Sequence, residues 1–541
     1  MKRTLKIAAG ALALSMATWS PVADAKLFMS PYNHPDFEWF TIETEHFRVH
    51  YATSDNDEHA FTSEWSARKA ARVAEEMWQP MCEEFDFYLR ERVDIVILNH
   101  TDYLEGFTVP AFDFIEVSSN PGGYFYRMRG RMEWFSDVLV HEFAHVVSLK
   151  ANTPLGEGTS SLDIGGLYSN GIMDADIGVS FSLMDSDPFW WTEGGAEYWS
   201  DEAGYNWWTA ARDQNIRMTV LEDRLLTFDE WVTRIDKWGF DGERGYQQGY
   251  NFALYLRERF GPDTYAQFAL RYREGWRLDW SDVIEDVLGI DGETLYDDWV
   301  VFLTESYEGV RDRVKSEGEV VGHELMTARP EWQYRDPDAR DAWYGKRQRD
   351  REAAMEASGV FNFYPHYSED GSTIASNNRG RLRVSETPVE AWYAFGGRYS
   401  GDSEVAQNSR DNSAAIPMEF GHDWDFVPDG TSVVVSGRED MLPSFWESLT
   451  HISFDQIDGY GWKELWVIDL ESYERDEDGR EYTSLTPGTN WGVRDWNPDA
   501  FRPIPNTRRG VEPAVSPDGN TVAYFEYTDG TLNLVTIGMD G

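Results

Sequence analysis

Residues 136–150, SDVLVHEFAHVVSLK, impose the strongest single constraint on how this chain can fold. At helical periodicity Phe135, Leu139, Val140, Val146 and Val147 cover most of a helix's circumference, and a helix that is apolar nearly all round is enclosed by protein. The pattern predicts a helix over 132–151, ended as Pro154 approaches. A core must therefore form around this segment. It must also compensate His141, Glu142 and His145, because burying polar groups without partners costs several kcal/mol. His141 and His145 stand at i and i+4, so their rings project from one face a turn apart, and both can reach one Zn2+. Glu142, beside the first histidine, is placed to accept a proton from metal-activated water rather than to bind the metal.

The other elements predict what surrounds this helix. FEWFTIETEHFRVHYA (37–52) alternates as a strand, 63–89 reads as a helix, and 92–100 and 112–119 read as strands. Helical patterns recur around 189–203, 246–260 and 293–316, so 26–325 is expected to be mixed α and β. Beyond about 325 helical periodicity fades. YSEDGSTIAS (367–376), FVPDGTSVVVS (426–436) and VSPDGNTVAYF (515–525) repeat one pattern: a turn, Asp-Gly, polar residues, then an apolar strand. Asp-Gly suits tight hairpins because glycine accepts positive φ without a Cβ clash. With blades of about 40–50 residues, the unequal spacing of Gly371, Gly430 and Gly519 fits one enlarged blade and then two blades, the second without a clear signature. ELWVIDLE (464–471) and LNLVTI (532–537) are expected to close blades.

These runs resemble TolB-like β-propeller repeats over 326–541; an irregular β-sandwich is the other reading. The chain stops just after a strand, and an unclosed propeller would expose a sheet edge, so a truncated propeller is expected. The propeller would present a surface to a peptide or protein partner.

Downstream of the histidine helix lies PFWWTEGGAEYWSDE (188–202), followed by GYQQGYNFALYLRERFG (245–261). Together the three segments resemble the gluzincin group of zinc peptidases, whose H-E-x-x-H helix is joined by a W-x-x-E-G-x-A helix and a Y-x-x-G helix. Trp190, Glu193, Gly194 and Ala196 match the second motif; Tyr246 and Gly249 match the third. The resemblance, which covers about 45–320, implies an α+β zincin-like domain with Glu193 as third ligand. It also implies Tyr246 as donor to the oxyanion of peptide hydrolysis and Glu197 as an acid orienting a ligand histidine. Glu197 reads equally as a solvent-facing helix acid; the other reading of Tyr246 is a core tyrosine beside Tyr250 and Tyr255.

The sequence departs from the group in two ways. The Gly- and Ser-rich stretch within 151–187 separates His145 from Glu193, either as a hairpin or lid over the cleft or as a surface insertion. The aminopeptidase G-x-M-E-N segment has no match; GFTVPAFDFIEV (106–117) supplies a cleft-edge strand instead, which favours an endopeptidase or a narrow peptide trimmer.

Composition bounds the setting. Acids outnumber bases 96 to 48, a net charge of −48, which disfavours nucleic acid as a partner. Aromatic residues at 15 % argue against global disorder. Residues 1–25 read as a signal peptide cleaved before Lys26, with Lys2, Arg3 and Lys6 ahead of an apolar run too short to span a bilayer. The mature protein is expected to be periplasmic or secreted, with no membrane span. Cys82 is the single cysteine, so no internal disulfide can form, and it reads as a packing residue. His34, His46, His50 and His100 lack ligand spacing and read as structural or surface residues. The alternative to a zinc peptidase is a non-catalytic binding protein in which zinc is structural and the propeller is the working surface.

Overall fold

The computed structural model describes residues 37–55, 60–100, 106–110, 113–120, 129–130, 133–152, 188–228, 240–275, 280–318, 363–369, 424–437, 462–469 and 501–541, together with short strands at 162–164, 179–181, 373–377, 381–386 and 414–417. The leader at 1–25 and the junction around 325 lie outside the described residues.

The first part is mixed α and β. Strands β1 (Glu38–Glu43), β2 (Phe47–Ser54), β3 (Phe61–Thr62), β4 (Val93–Leu98), β5 (Gly106–Val109) and β6 (Phe114–Ser118) form one sheet in the order β1-β2-β4-β6-β5, with β3 paired to β2. β2, β4 and β6 run parallel, whereas the edge strands β1 and β5 are antiparallel to their neighbours. One face is apolar by alternation: Phe47 and Val49, Val93 and Ile95, Ile115 and Val117 are all fully buried.

Helix α1 (Glu64–Glu84) packs on β2, and α2 (Trp134–Ala151) packs on α1, β5 and β6. α1 stops earlier than its periodicity predicts, and Asp86 just beyond it takes a left-handed conformation, φ 44°. Cys82 is buried on its inner face, and burial pushes the thiol up to about 11. In α2 every residue from Phe135 to Ser148 is buried, as its sequence requires. The Glu133 side chain caps it by accepting the Ser136 N–H.

β7 (Leu162–Ile164) and β8 (Val179–Phe181) pair antiparallel within the 151–187 insertion. A helical layer completes this part: α3 (Phe189–Glu202), α4 (Ala210–Leu221), α5 (Phe240–Phe260), α6 (Thr264–Gly275), α7 (Trp280–Leu288) and α8 (Gly292–Gly318). Its core is aromatic. Trp190 meets Phe252 edge-on at 5.4 Å, and Trp191 stacks on Tyr265 at 4.7 Å. Burying a side chain of this class stabilises by roughly 1.5–3 kcal/mol.

From residue 363 onward the described residues form only strands, and none of their sheets closes into a barrel. β9 (Phe363–Tyr367), β10 (Thr373–Asn377), β11 (Arg381–Glu386) and β12 (Ala414–Pro417) form one antiparallel meander. β13 (Trp424–Phe426), β14 (Ser432–Gly437), β15 (Glu464–Asp469) and β16 (Phe501–Pro503) form a second. The third has three strands: β17 (Gly510–Val515), β18 (Thr521–Tyr527) and β19 (Leu532–Gly538). Gly430 and Gly519 sit at the first turn of their sheets with φ 71°; Gly371 lies outside the described residues.

Two expectations are corrected. Among the described residues the interval from Gly430 to Gly519 holds one four-stranded sheet before the next begins, not two blades, because β15 pairs with β16 across the long 470–500 connection. β15 is therefore the third strand of its sheet rather than the closing one, while β19 is the outer strand of the last. Val434, Leu465, Val467, Val522 and Tyr524 form one core between the second and third sheets.

The β region touches the first part directly. Asp529, in the β18–β19 turn, accepts from the Trp65 and Ser66 backbone N–H groups and from the Ser66 hydroxyl. It thereby caps α1, whose own Ser63 makes no capping bond. Arg509 Nη2 donates to Asn120 Oδ1 at 2.8 Å and its guanidinium lies 5.1 Å from the Trp462 ring.

Candidate metal centre

Three segments distant in sequence converge on one point. His141 Nε2 and His145 Nε2 are 3.1 Å apart, and Glu193 Oε2 lies 3.2 Å from the first and 3.3 Å from the second. Tetrahedral Zn2+ with ligands at 2.0–2.1 Å requires donor separations of roughly 3.3 Å. The donor set thus fits zinc in both chemistry and spacing, and it is the one group of three or more such side chains among the described residues that could hold an ion.

The helices explain the convergence. α2 presents both histidine rings from one buried face, 4.7 Å between centroids. α3 and α5 cross at Gly194 and Gly249, where a Cβ on Gly194 would meet the Gly249 backbone at 2.4 Å. Two glycines at this crossing allow backbone contact that any side chain would forbid. Glu193 precedes one of them and Tyr246 lies a turn before the other, so the crossing brings both side chains to the histidines. The Tyr246 ring lies 6.2 Å from the His141 ring and 5.1 Å from Phe189.

Charge in the cluster is self-consistent. Burial disfavours the His141 imidazolium, yet Glu193, Glu197 and Glu142 outweigh it and push its pKa up to about 9. Burial would raise Glu193, but His145 and His141 hold it well below the ordinary carboxylate range. Glu142 moves the other way: burial raises it, and the histidines only partly offset that. It lies under the edge strand, where a Cβ on Gly106 would come within 2.9 Å of its Oε1 and 2.2 Å of Val138. Thr108 on the same strand donates to the Glu142 backbone carbonyl at 3.1 Å.

Glu197 is not a solvent-facing acid. It is 1 % exposed and its Oε1 lies 3.8 Å from His141 Nδ1. Burial would raise its pKa, but Arg129, Arg212 and His141 pull it down to about 2. Arg129 Nη1 donates to Oε1 at 2.5 Å; Arg212 Nη2 and Asn206 Nδ2 each donate to Oε2 at 2.6 Å. His145 lacks an equivalent, since its buried Nδ1 has no hydrogen-bond partner among the described residues. Arg129 also forks onto Glu243, with Nε and Nη2 each at 2.9 Å from one oxygen, and Gln247 joins Glu243 to Arg212.

Sequence reasoning brought His141, Glu142, His145, Glu193, Glu197 and Tyr246 to one site, and the structure places all six together. It missed Arg129, Arg212, Asn206, Glu243 and Gln247. The one signal for them was the i, i+4 spacing of Glu243 and Gln247 on α5 around Tyr246. Tyr250, by contrast, is a core tyrosine that donates to Asp201 at 2.6 Å. Of the histidines expected to be structural or on the surface, His34 lies outside the described residues; His46 stacks on Trp78 at 3.6 Å, His50 bridges Thr41 and Asp94, and His100 is buried against Phe37.

No family model matches the chain, and no curated protein matches it. Among solved structures, a TolB protein from Agrobacterium tumefaciens is a distant neighbour over a third of the chain: 16% identity over 34% of this chain and 59% of that one, with a TM-score of 0.15. The chain therefore spans less than two thirds of that protein's length. No helix among the described residues is long and apolar enough to cross a membrane.

Proposed function

We propose that this chain is an exported zinc-dependent peptidase of gluzincin type that hydrolyses peptide bonds of a peptide or protein substrate. The observation that carries the reading is the convergence of His141, His145 and Glu193 within 4.8 Å, next to a buried carboxylate, Glu142, that belongs to no ligand set. A purely structural zinc site requires no such base.

His141, His145 and Glu193 would hold the ion. When bound, Zn2+ supplies Lewis acidity for activating water and polarising a carbonyl. Glu142 takes one proton from the attacking water as its oxygen bonds to the carbonyl carbon. Burial raises its proton affinity, which suits it to receive that proton. The Tyr246 hydroxyl donates to the carbonyl oxygen as negative charge develops there, a hydrogen bond that strengthens towards the transition state. Glu142 then delivers its proton to the departing amine nitrogen as the C–N bond breaks; the new carboxylic acid gives up the water's second proton to the amine, leaving a carboxylate and an ammonium group. Glu197 orients His141 through its Nδ1 side. The edge strand β5 lies beside Glu142, and the three-sheet β region is assigned to binding a peptide or protein partner.

The test combines zinc analysis with a broad peptide library. Wild type should bind about one zinc and cleave; Glu142→Gln should keep the zinc and lose cleavage by roughly 10²–10⁴-fold. Bound zinc with no cleavage by wild type, indistinguishable from Glu142→Gln, would favour the non-catalytic binding protein instead.

A further inference from the structure

The guanidinium of Arg129 is not among the side chains that could hold the metal. It touches both helices that cross at Gly194 and Gly249. On α3 it holds Glu197, one turn beyond Glu193. On α5 it forks onto Glu243, one turn before Tyr246. Between these contacts its Cζ lies 4.9 Å from the centre of the Tyr246 ring. The side chain is 13 % exposed, and its partners Glu197 and Glu243 are 1 % and 4 %.

A planar cation that makes a bidentate carboxylate pair has its plane fixed by that pair. The third contact, to Glu197, then leaves the ring of Tyr246 one face against which to lie, with the cation attracted to its π system. Glu197 does not depend on Arg129 alone, because Arg212 and Asn206 hold its other oxygen. Tyr246 has Phe189 at its edge and His141 tilted at 6.2 Å; Arg129 is the cation placed against its ring.

We infer that Arg129 is a positioning residue that straps α3 to α5 and fixes the Tyr246 ring at the angle from which its hydroxyl meets the developing oxyanion. The inference rests on the peptidase reading for the purpose of that hydroxyl, but the positioning itself does not. It assigns different tasks to two arginines on one carboxylate: Arg212 anchors the Glu197 oxygen turned away from His141, whereas Arg129 holds the oxygen that faces His141 and ties it to the tyrosine side.

The experiment uses the full chain with zinc, as wild type, Arg129→Lys, Arg129→Met, Tyr246→Phe and Arg129→Lys/Tyr246→Phe. In protein carrying 13C-labelled tyrosine rings, the resonance absent from Tyr246→Phe identifies Tyr246. That resonance should shift or broaden in Arg129→Lys and Arg129→Met while zinc content stays near wild type. On a peptide cleaved by wild type, Arg129→Lys should lower kcat about 10–100-fold with KM changed less than about threefold, and should add little to Tyr246→Phe, since contacting residues that act as a unit are not additive. An unmoved Tyr246 resonance in folded Arg129→Lys overturns the inference, as does full multiplication of the two effects in the double variant. Failure of both single Arg129 variants to fold also overturns it, by making the role one of stability. If wild type cleaves nothing, the peptidase reading fails, and the resonance still decides whether Arg129 positions Tyr246.

Discussion

Glu142 and Glu197 are both buried beside His141, yet their surroundings drive them in opposite directions. Glu142, on the β5 side, has no arginine partner among the described residues, and burial raises its proton affinity. Glu197, on the far side, is gripped by Arg129, Arg212 and Asn206 and falls to about 2. Residue type and burial are the same in both; the difference is the set of donors that faces each oxygen. A carboxylate left short of donors can exchange a proton, whereas one saturated with them can only hold a charge in place.

The largest test of this contrast is stability. Glu197→Gln removes a charge from between two buried arginines and should destabilise the metal-free protein by about 3–5 kcal/mol, the usual cost of breaking a buried ion pair from one side. Glu142→Gln removes a charge that burial disfavours and should leave stability unchanged or higher, so urea denaturation of the two variants should diverge. Equal losses would erase the distinction between the two sides.

Acidity sharpens the same contrast in metal-free protein. Glu197 has a folded pKa below its unfolded value of about 4.3, so its contribution is full above that value and is lost as pH falls toward 2. Glu142 has a folded pKa above its unfolded one, so its ionisation costs stability as pH rises from about 4.3 through the folded value. Denaturation across pH 2–8 should show Glu197→Gln lacking the acid-side loss and Glu142→Gln lacking the loss on the rising side.

Zinc affinity separates the two sides by a smaller amount. Glu197→Gln should weaken zinc binding about 10–100-fold by loosening the support behind His141, and Glu142→Gln should not weaken it, as measured by competition with a chelator. On the β5 side, Gly106→Ala forces a methyl group against Val138 and Glu142 and should cost about 1–3 kcal/mol as overpacking. It should also slow cleavage more than it weakens zinc binding, because the displaced group is the proposed base and is not among the three side chains that could hold the ion.

The legible part of the site was the part written at helical spacing. His141 and His145 at i and i+4, and Glu193 and Glu197 at the same interval, announce their faces in sequence. The crossing glycines were legible only as motif letters; their reason, backbone contact between α3 and α5, requires three dimensions. Arg129 and Arg212 were not legible, because a basic residue destined for burial carries no local signature and its partners lie far along the chain. The same limit applied to the β region. Asp-Gly turns marked where sheets begin, but the unequal spacing was read as an extra blade, whereas among the described residues β14, β15 and β16 pair in sequence order within one sheet. Pairing across long connections is set by the partner strand.

The smallest prediction concerns a residue remote from both carboxylates. Asp529 caps α1 from another sheet, and α1 packs directly on α2, which carries the histidines. If the metal centre depended on that cap, damage at the turn would reach both sides of it alike. The cap, however, satisfies N–H groups at Trp65 and Ser66 in the first turn, while Ala70, Ala74, Met77 and Met81, buried in the same core as the α2 side chains, lie beyond that turn. Asp529→Ala should therefore cost about 1 kcal/mol, the ordinary value of a lost N-cap, and leave zinc affinity and the cleavage rate within about twofold of wild type. A larger change in either would mean that the centre takes its geometry from the β region as well as from its own helices.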